Sequence, residues 1–251
     1  MSALQPHRKR YWLTPPPDDP AQLAEQICTV CEIYEATPAL AAQGMHVMST
    51  DEMTGIQALE QLHPSLPMLP GHVERQEFEY ERHGTLSLIA NLDVATGQIV
   101  TPSLGPTRTE ADFAAHIKET ISTDPDTSWI FITDQLNTHQ SETLVCLVAQ
   151  LCDIQEDLGV KAKSGHLASM KTRAAFLSDP THRIRLVYTP RHSSWLNQIE
   201  IWFSILVRRL LARASWTSVT HLREGILAFI AYFNRLSHGP FHWTYKGPTR
   251  L

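Results

Sequence analysis

Apolar and polar positions along the chain fall into two periods. In HVMSTDEM (46–53) they alternate, with Val47, Ser49 and Asp51 on one side and Met48, Thr50 and Glu52 on the other. That pattern predicts a strand and sets Asp51 beside a small polar residue. TLSLIANLDV and QIVTPSL, joined around Ala95-Thr96-Gly97, predict a β-hairpin. In SWIFITD (128–134) the apolar run from Trp129 to Ile132 is unbroken, as in a strand covered on both faces, and ends in Asp134. RIRLVY (183–188) reads as a short strand leading through Pro190 into TPRHSSWLNQIEIWFSIL (189–206). A helical period governs 20–37, TRTEADFAAHIKET with Thr109 as N-cap, about 140–152, 195–213 and 219–236. Residues 54–82 show no clear period and carry several prolines, so a long loop or irregular excursion is expected there; 153–182 is a basic, mostly helix-compatible insertion. The order strand, hairpin, helix, strand, helix, strand, helix describes an α/β fold with a mixed sheet flanked by helices.

A chain of 251 residues, 43% hydrophobic, buries the core of one domain. No apolar run spans a bilayer, and the basic, proline-rich start lacks the apolar stretch of a signal peptide, so a cytoplasmic protein without a membrane partner is expected. Four cysteines are too few for a disulfide scaffold or a four-thiolate zinc site and are expected to be reduced. Net charge is −5 and the pI about 6.2, which by itself argues against a nucleic-acid partner. The average hides an asymmetry: 161–223 carries eleven Lys or Arg against two acids, a local +9 against −14 for the remainder. Either a surface for phosphates or an ordinary solvated face fits that pattern.

Three acids occupy comparable places: Asp51 in the first strand, Asp134 at the end of the buried strand, and Glu200 on the helix after the last strand. Three carboxylates brought together without a cation would force at least one pKa upward, so a cluster of this kind is most simply explained by bound metal. Oxygen-only ligands suit Mg²⁺ or Mn²⁺. On the last motif, Ser193 or Ser194 is expected to cap the helix, and Trp195, Ile199, Trp202 or Phe203, Leu206 and Leu210 to form its buried stripe, with Glu200 at the edge and Asn197 one turn earlier. A solvated glutamate near a helix start is the plain alternative for Glu200. His139 either orients a reacting hydroxyl or phosphate or is satisfied by backbone at a helix start. None of the thirteen histidines shows a zinc spacing.

STDEMTGIQALE, ITDQLNTH and YTPRHSSWLNQIEIWF together resemble the three signature blocks of DDE transposases of bacterial insertion sequences related to the mariner superfamily. The resemblance runs from about residue 45 to the C-terminus. It implies a ribonuclease-H-like fold in which Asp51, Asp134 and Glu200 hold two divalent ions, Mg²⁺ or Mn²⁺, with His139, Asn137 and Asn197 in support. It also implies metal-dependent cleavage and strand transfer on transposon ends and target DNA, a homodimer, and a place on the bacterial nucleoid. Two departures are local. Gln135 stands where the family often has Asn, and 65 residues separate Asp134 from Glu200, more than is typical of mariner elements. A third concerns domains: 1–20 reads as an arm and 21–251 as the catalytic domain, with no helix-turn-helix pair ahead of Tyr11, so specific end recognition is expected to be lost or weakened. Lys161, Lys163, Lys171 and Arg173, with Arg208 and Arg209, are the expected phosphate contacts. A nuclease of the same fold, or an inactive remnant that binds DNA or interferes with full-length transposase, remain the alternatives.

Overall fold

The computed structural model describes residues 19–64, 66–75, 77, 79–236 and 239–247, so most of the expected N-terminal arm (1–20) lies outside the described residues. Asp19 opens the first helix, α1 (Pro20–Ala42), by accepting from the N–H groups of Ala21 and Gln22, with Pro20 at the position where its missing N–H costs nothing. Five strands follow in the order of the chain: β1 (His46–Gln61), β2 (Tyr80–Asp93), β3 (Ile99–Gly105), β4 (Trp129–Thr133) and β5 (Ile184–Tyr188). They form one sheet ordered β3-β2-β1-β4-β5, antiparallel from β3 to β1 and parallel from β1 to β5. The mixed sheet of the sequence reading is therefore present, with its parallel half centred on the unbroken apolar run of β4.

Helices cover both faces. Met48, Ile89, Trp129, Phe131, Ile184 and Leu186 point to the face packed by α2 (Glu110–Ile121), α3 (Glu142–Leu151) and α4 (Met170–Leu177). Val47, Ile130 and Ile132 point the other way, to α1, and Leu88, Ala90 and Leu92 on that side meet α5 (Ile199–Leu206) and α6 (Val219–Leu236). Trp129, Phe131, Phe113 and Trp202 are fully buried, and truncating any one to Ala would cost about 3–5 kcal/mol. Thr109 caps α2 in a full capping box with Asp112, as its sequence predicts.

The expectation for 54–82 is corrected. β1 continues to Gln61 and β2 begins at Tyr80, so the two strands extend as a ribbon, and 62–79 carries only isolated bridges such as Leu66 with Arg75. Alternation fails as a signal here because of a bulge: Met53 pairs with Leu88 but Ile56 with Leu86, giving β1 one extra residue, and Gly55 adopts a φ of +66°. Before the bulge the odd positions of β1 face α1 and α5; after it, Ile56 and Ala58 do.

Candidate active site

β1 and β4 are paired in parallel up to Ser49 opposite Ile132. Two residues further on, the same register sets Asp51 level with Asp134, about 4.8 Å away on the neighbouring chain path. Parity gives Asp51 the face covered by α1 and α5, while Asp134, one residue past the end of β4, also reaches His139. Asp51 is 8% exposed. Its Oδ1 accepts from the Glu52 N–H at 2.8 Å and its Oδ2 from Asn197 Nδ2 at 3.2 Å. Asn197 is itself pinned, because Nδ2 also donates to the Thr50 carbonyl at 3.0 Å and Oδ1 accepts from the Ser49 hydroxyl. That same hydroxyl accepts from the Ile199 N–H at 2.9 Å. From α1, Tyr34 donates its hydroxyl proton to the Leu196 carbonyl at 2.8 Å and accepts from the Gln198 N–H at 3.3 Å. The start of α5 is thus tied to β1 and α1, and Glu200 is carried in its first turn.

Two expectations for this motif are corrected. Ser193 and Ser194 lead into a 3-10 turn (Ser194–Leu196), not an α-helix, and α5 starts only at Ile199 without a side-chain cap. Its first N–H groups are satisfied by Ser49 and the Asn197 carbonyl instead. In consequence Trp195 is off the stripe: it is 50% exposed and meets the Tyr245 ring edge-on, while Leu196, Ile199, Trp202, Phe203 and Leu206 are buried. Trp243 of the tail packs on Tyr34 with ring centroids 5.0 Å apart.

On the far side of the sheet the chain leaves β4 through a 3-10 turn, Asn137–Gln140, that carries His139. The imidazole is fully buried, tilted over Phe113 with centroids 4.1 Å apart. Its Nδ1 lies 2.7 Å from Asp134 Oδ1 and 2.8 Å from Thr133 Oγ1, and its Nε2 lies 3.0 Å from Glu52 Oε2. Oδ1 of Asp134 also accepts from the Leu136 N–H at 3.0 Å. Glu52, which the sequence reading passed over, was signalled by the strand alternation: next to Asp51, it projects to the opposite face. Gln135 donates to the Thr189 carbonyl at 3.1 Å and so ties the ends of β4 and β5, whereas Asn137 is exposed at the start of the turn.

The electrostatics follow from this arrangement. Burial, only partly offset by the Glu52 N–H and reinforced by the charge of Asp134, pushes Asp51 up to about 7. Burial and then Asp134 also raise Glu200. Asp134, with its side chain 41% exposed, goes the other way: burial would raise it, but the hydrogen bond and charge of His139 hold it below the usual carboxylate range. His139 is lifted to about 9 because two carboxylates outweigh its burial. The three acids influence one another without closing into a cage. The one trio of ligand atoms lying within 4.8 Å of one another, among the described residues, is Glu60, Glu81 and His83 on the ribbon.

The expected phosphate contacts separate into two kinds. Arg173 is engaged by the fold, donating from Nε to the Gln140 carbonyl at 2.6 Å and from a terminal nitrogen to the Leu167 carbonyl at 3.2 Å. Arg183 and Arg223 likewise bond backbone carbonyls, so part of the basic stretch satisfies chain ends. Lys161 pairs with Glu142 at 3.3 Å near the surface, and Lys163 and Lys171 are exposed. Arg208 and Arg209 lie on a π-helical turn, Val207–Leu211, and with Arg213, Phe229 and Tyr232 line a groove of about 780 Å³. None of these three arginines has an ion-pair partner among the described residues.

Known proteins resemble the chain in fold and in family. No curated protein matches the chain. Among solved structures, the Mos1 mariner paired end complex with Mn is similar with a TM-score of 0.52 and 12% identity over 92% of this chain and 60% of that one. The Mos1 transposase paired-end complex with left transposon end gives a TM-score of 0.51 and 12% identity over 95% of this chain and 63% of that one. The chain thus spans less than two thirds of those chains, and at such identity the likeness is one of fold, the ribonuclease-H-like fold of mariner transposase catalytic domains. The family model described as DDE superfamily endonuclease matches residues 46–223, a stretch that holds Asp51, Asp134 and Glu200. By that match, which covers well over half of its length, the chain belongs to the DDE superfamily endonucleases.

Proposed function

We propose that residues 21–251 are the catalytic domain of a transposase, cutting a DNA strand and joining the freed 3′ end to target DNA with divalent metal. One observation carries the reading. Asp51 lies on β1 and Asp134 just past the end of the adjacent parallel strand β4, with Glu200 on the helix beside them, and burial, reinforced by the charge of Asp134, lifts Asp51 and Glu200. An oxygen-only donor set of this kind suits two Mg²⁺ or Mn²⁺ ions, and a cation beside it removes the repulsion. When bound, such ions favour the attacking oxygen and stabilise the leaving one in a displacement at phosphorus. The chain's own groups do the positioning: Asn197 holds one oxygen of Asp51, His139 holds one oxygen of Asp134, and Tyr34 fixes the start of the helix that carries Glu200.

The Mos1 structures that resemble this chain are of complexes with transposon ends. For this chain the DNA contacts fall to Lys161, Lys163 and Lys171 and to the groove of Arg208 and Arg209, whose guanidinium groups are unopposed by acids among the described residues. An insertion-sequence origin, a place on the bacterial nucleoid and a homodimer on paired ends belong to the same reading, and sedimentation with and without DNA tests the last. Among the described residues no helix is long and apolar enough to cross a membrane.

The deciding experiment incubates the purified chain with supercoiled plasmid in Mn²⁺, Mg²⁺ or chelator, beside an Asp134→Asn variant. Metal-dependent nicking that the variant lacks is expected, and joined products on supplied 3′ ends separate a transposase from a nuclease of the same fold. Nicking by Asp134→Asn at the wild-type rate refutes the assignment.

A further inference from the structure

Glu52 sits one residue after Asp51 yet on the opposite face of the sheet, where its side chain is 2% exposed. One of its oxygens, Oε2, lies 3.0 Å from His139 Nε2; the other, Oε1, is buried with no hydrogen-bond partner among the described residues. Burying a carboxylate with one oxygen unsatisfied costs several kcal/mol unless a specific partner compensates. The compensating partner is His139, whose other nitrogen is 2.7 Å from Asp134 Oδ1. The three side chains therefore form a chain of contacts that ends beside β4: Glu52, His139, Asp134.

A histidine between two carboxylates has both ring nitrogens assigned. With Nε2–H directed at Glu52, the ring can neither rotate about its axis nor flip without losing a bond at each end, and the Phe113 ring closes one side. Nδ1–H is then presented to Asp134 Oδ1 in a fixed direction. That oxygen receives Leu136 N–H as well, so the carboxylate plane is set and Oδ2 is the oxygen left for the site. Carboxylates that orient a neighbouring group from behind in this way govern how well metal ligands are aimed.

We propose that Glu52 is a positioning residue for the metal-dependent reaction: acting through His139, it sets the orientation of Asp134 toward the cation. The proposal rests on the metal-site reading above and adds to it a residue on the far face of the sheet.

The test compares Glu52→Gln, whose amide oxygen still accepts from His139 Nε2–H, with Glu52→Asp, which keeps the charge but withdraws the acceptor by one methylene. Mn²⁺ affinity is measured by calorimetry on the DNA-free protein. Nicking is measured as separate kcat and KM, folding as the melting temperature in chelator, and the His139 ring protons are followed by NMR. Glu52→Gln is expected to stay within about threefold of wild type in Mn²⁺ affinity and kcat, while Glu52→Asp loses roughly 10- to 100-fold, the usual penalty for an orienting partner. KM for DNA should be unchanged in both, and the slowly exchanging Nε2–H signal should survive only in the Gln variant. A folded Glu52→Asp protein that binds Mn²⁺ within twofold of wild type overturns the proposal and leaves the metal-site reading standing. Wild-type protein with no measurable Mn²⁺ affinity overturns both. If Glu52→Asp does not fold, the Gln variant decides: a loss of Mn²⁺ affinity as large as that of His139→Ala would also overturn the proposal, because its acceptor is intact.

Discussion

Replacing Asp51 by Asn should make the metal-free protein more stable at neutral and alkaline pH. Burial lifts the Asp51 carboxyl from 3.8 to about 7, so the folded state binds that proton more tightly than the unfolded chain does. The sign follows: the group's favourable contribution is complete below about pH 4 and is lost as pH rises through about 7. Across that window the gap is worth about 4 kcal/mol, at 1.36 kcal/mol per tenfold change in proton affinity. An asparagine is neutral at every pH and escapes the loss. Its Oδ1 keeps the Glu52 N–H, but its amide nitrogen meets Nδ2 of Asn197, which Ser49 and the Thr50 carbonyl prevent from flipping. The lost acceptor costs about 1 kcal/mol. The net gain at pH 8 is therefore about 3 kcal/mol, or roughly 6–12 °C in melting temperature for a chain of this size. The assay is thermal and urea unfolding of both proteins from pH 4 to 8 in chelator, repeated at pH 8 with Mn²⁺. The advantage should vanish below pH 4 and, on the proposed metal-site reading, shrink with Mn²⁺, for which an aspartate is a ligand and an asparagine a far weaker one. A variant no more stable than wild type at pH 8, or a gain that is the same at pH 4, would refute the reasoning.

The remaining expectations concern charge and packing. Arg173→Ala takes the guanidinium from the Gln140 carbonyl and from the Leu167 carbonyl, which keeps the Ala162 N–H, and should cost about 1–3 kcal/mol in urea unfolding. The same variant should leave the salt dependence of DNA binding unchanged. Neutralising Arg208 and Arg209 together should do the reverse, lowering the slope of log affinity against log salt by about 2 without altering stability. Gly225→Ala tests packing against helix propensity. A Cβ there would come within 2.3 Å of the Trp216 ring, so overpacking of about 1–3 kcal/mol should outweigh the roughly 1 kcal/mol that Ala gains over Gly in a helix. A rise in melting temperature would show that the indole is free to move aside.

The parallel half of the sheet was legible in the sequence because its physics is local. The unbroken apolar run of β4 can belong only to a strand covered on both sides, and strict alternation through 46–53 fixed which face Asp51 takes. Thr109 was readable as a cap for the same reason, its partner Asp112 being three residues away. What escaped depends on distant parts of the chain. Glu52 gains its meaning from His139, 87 residues later. Trp195 carries the right residue type at helical spacing, but the backbone there is a 3-10 turn because Tyr34 and Ser49 satisfy the chain and delay the helix to Ile199. Arg173 counted as surface charge in the composition, while in space two backbone carbonyls claim it. The strands on either side of 62–79 were hidden because the alternation changes phase within β1.

That change of phase has a consequence for how the protein tolerates insertion and deletion. The extra residue at the Met53–Ile56 bulge works as a spacer between two independent readings of one strand. Upstream, the phase is locked by β4 and by Asn197; downstream, it is locked by Ile56 and Ala58 in the core shared with α5 and α6. Losing that one extra residue would leave Asp51 and Glu52 where they are and let the strand alternate without a break, with Ile56 and Ala58 still turned inward. A loss of two would turn the distal ribbon over, bringing Gln57 inward and sending Ala58 out to solvent. At the bulge, therefore, one residue can be dispensed with, and beyond it length should vary in even steps, so that the ribbon can lengthen or shrink while the carboxylates at its root stay in place.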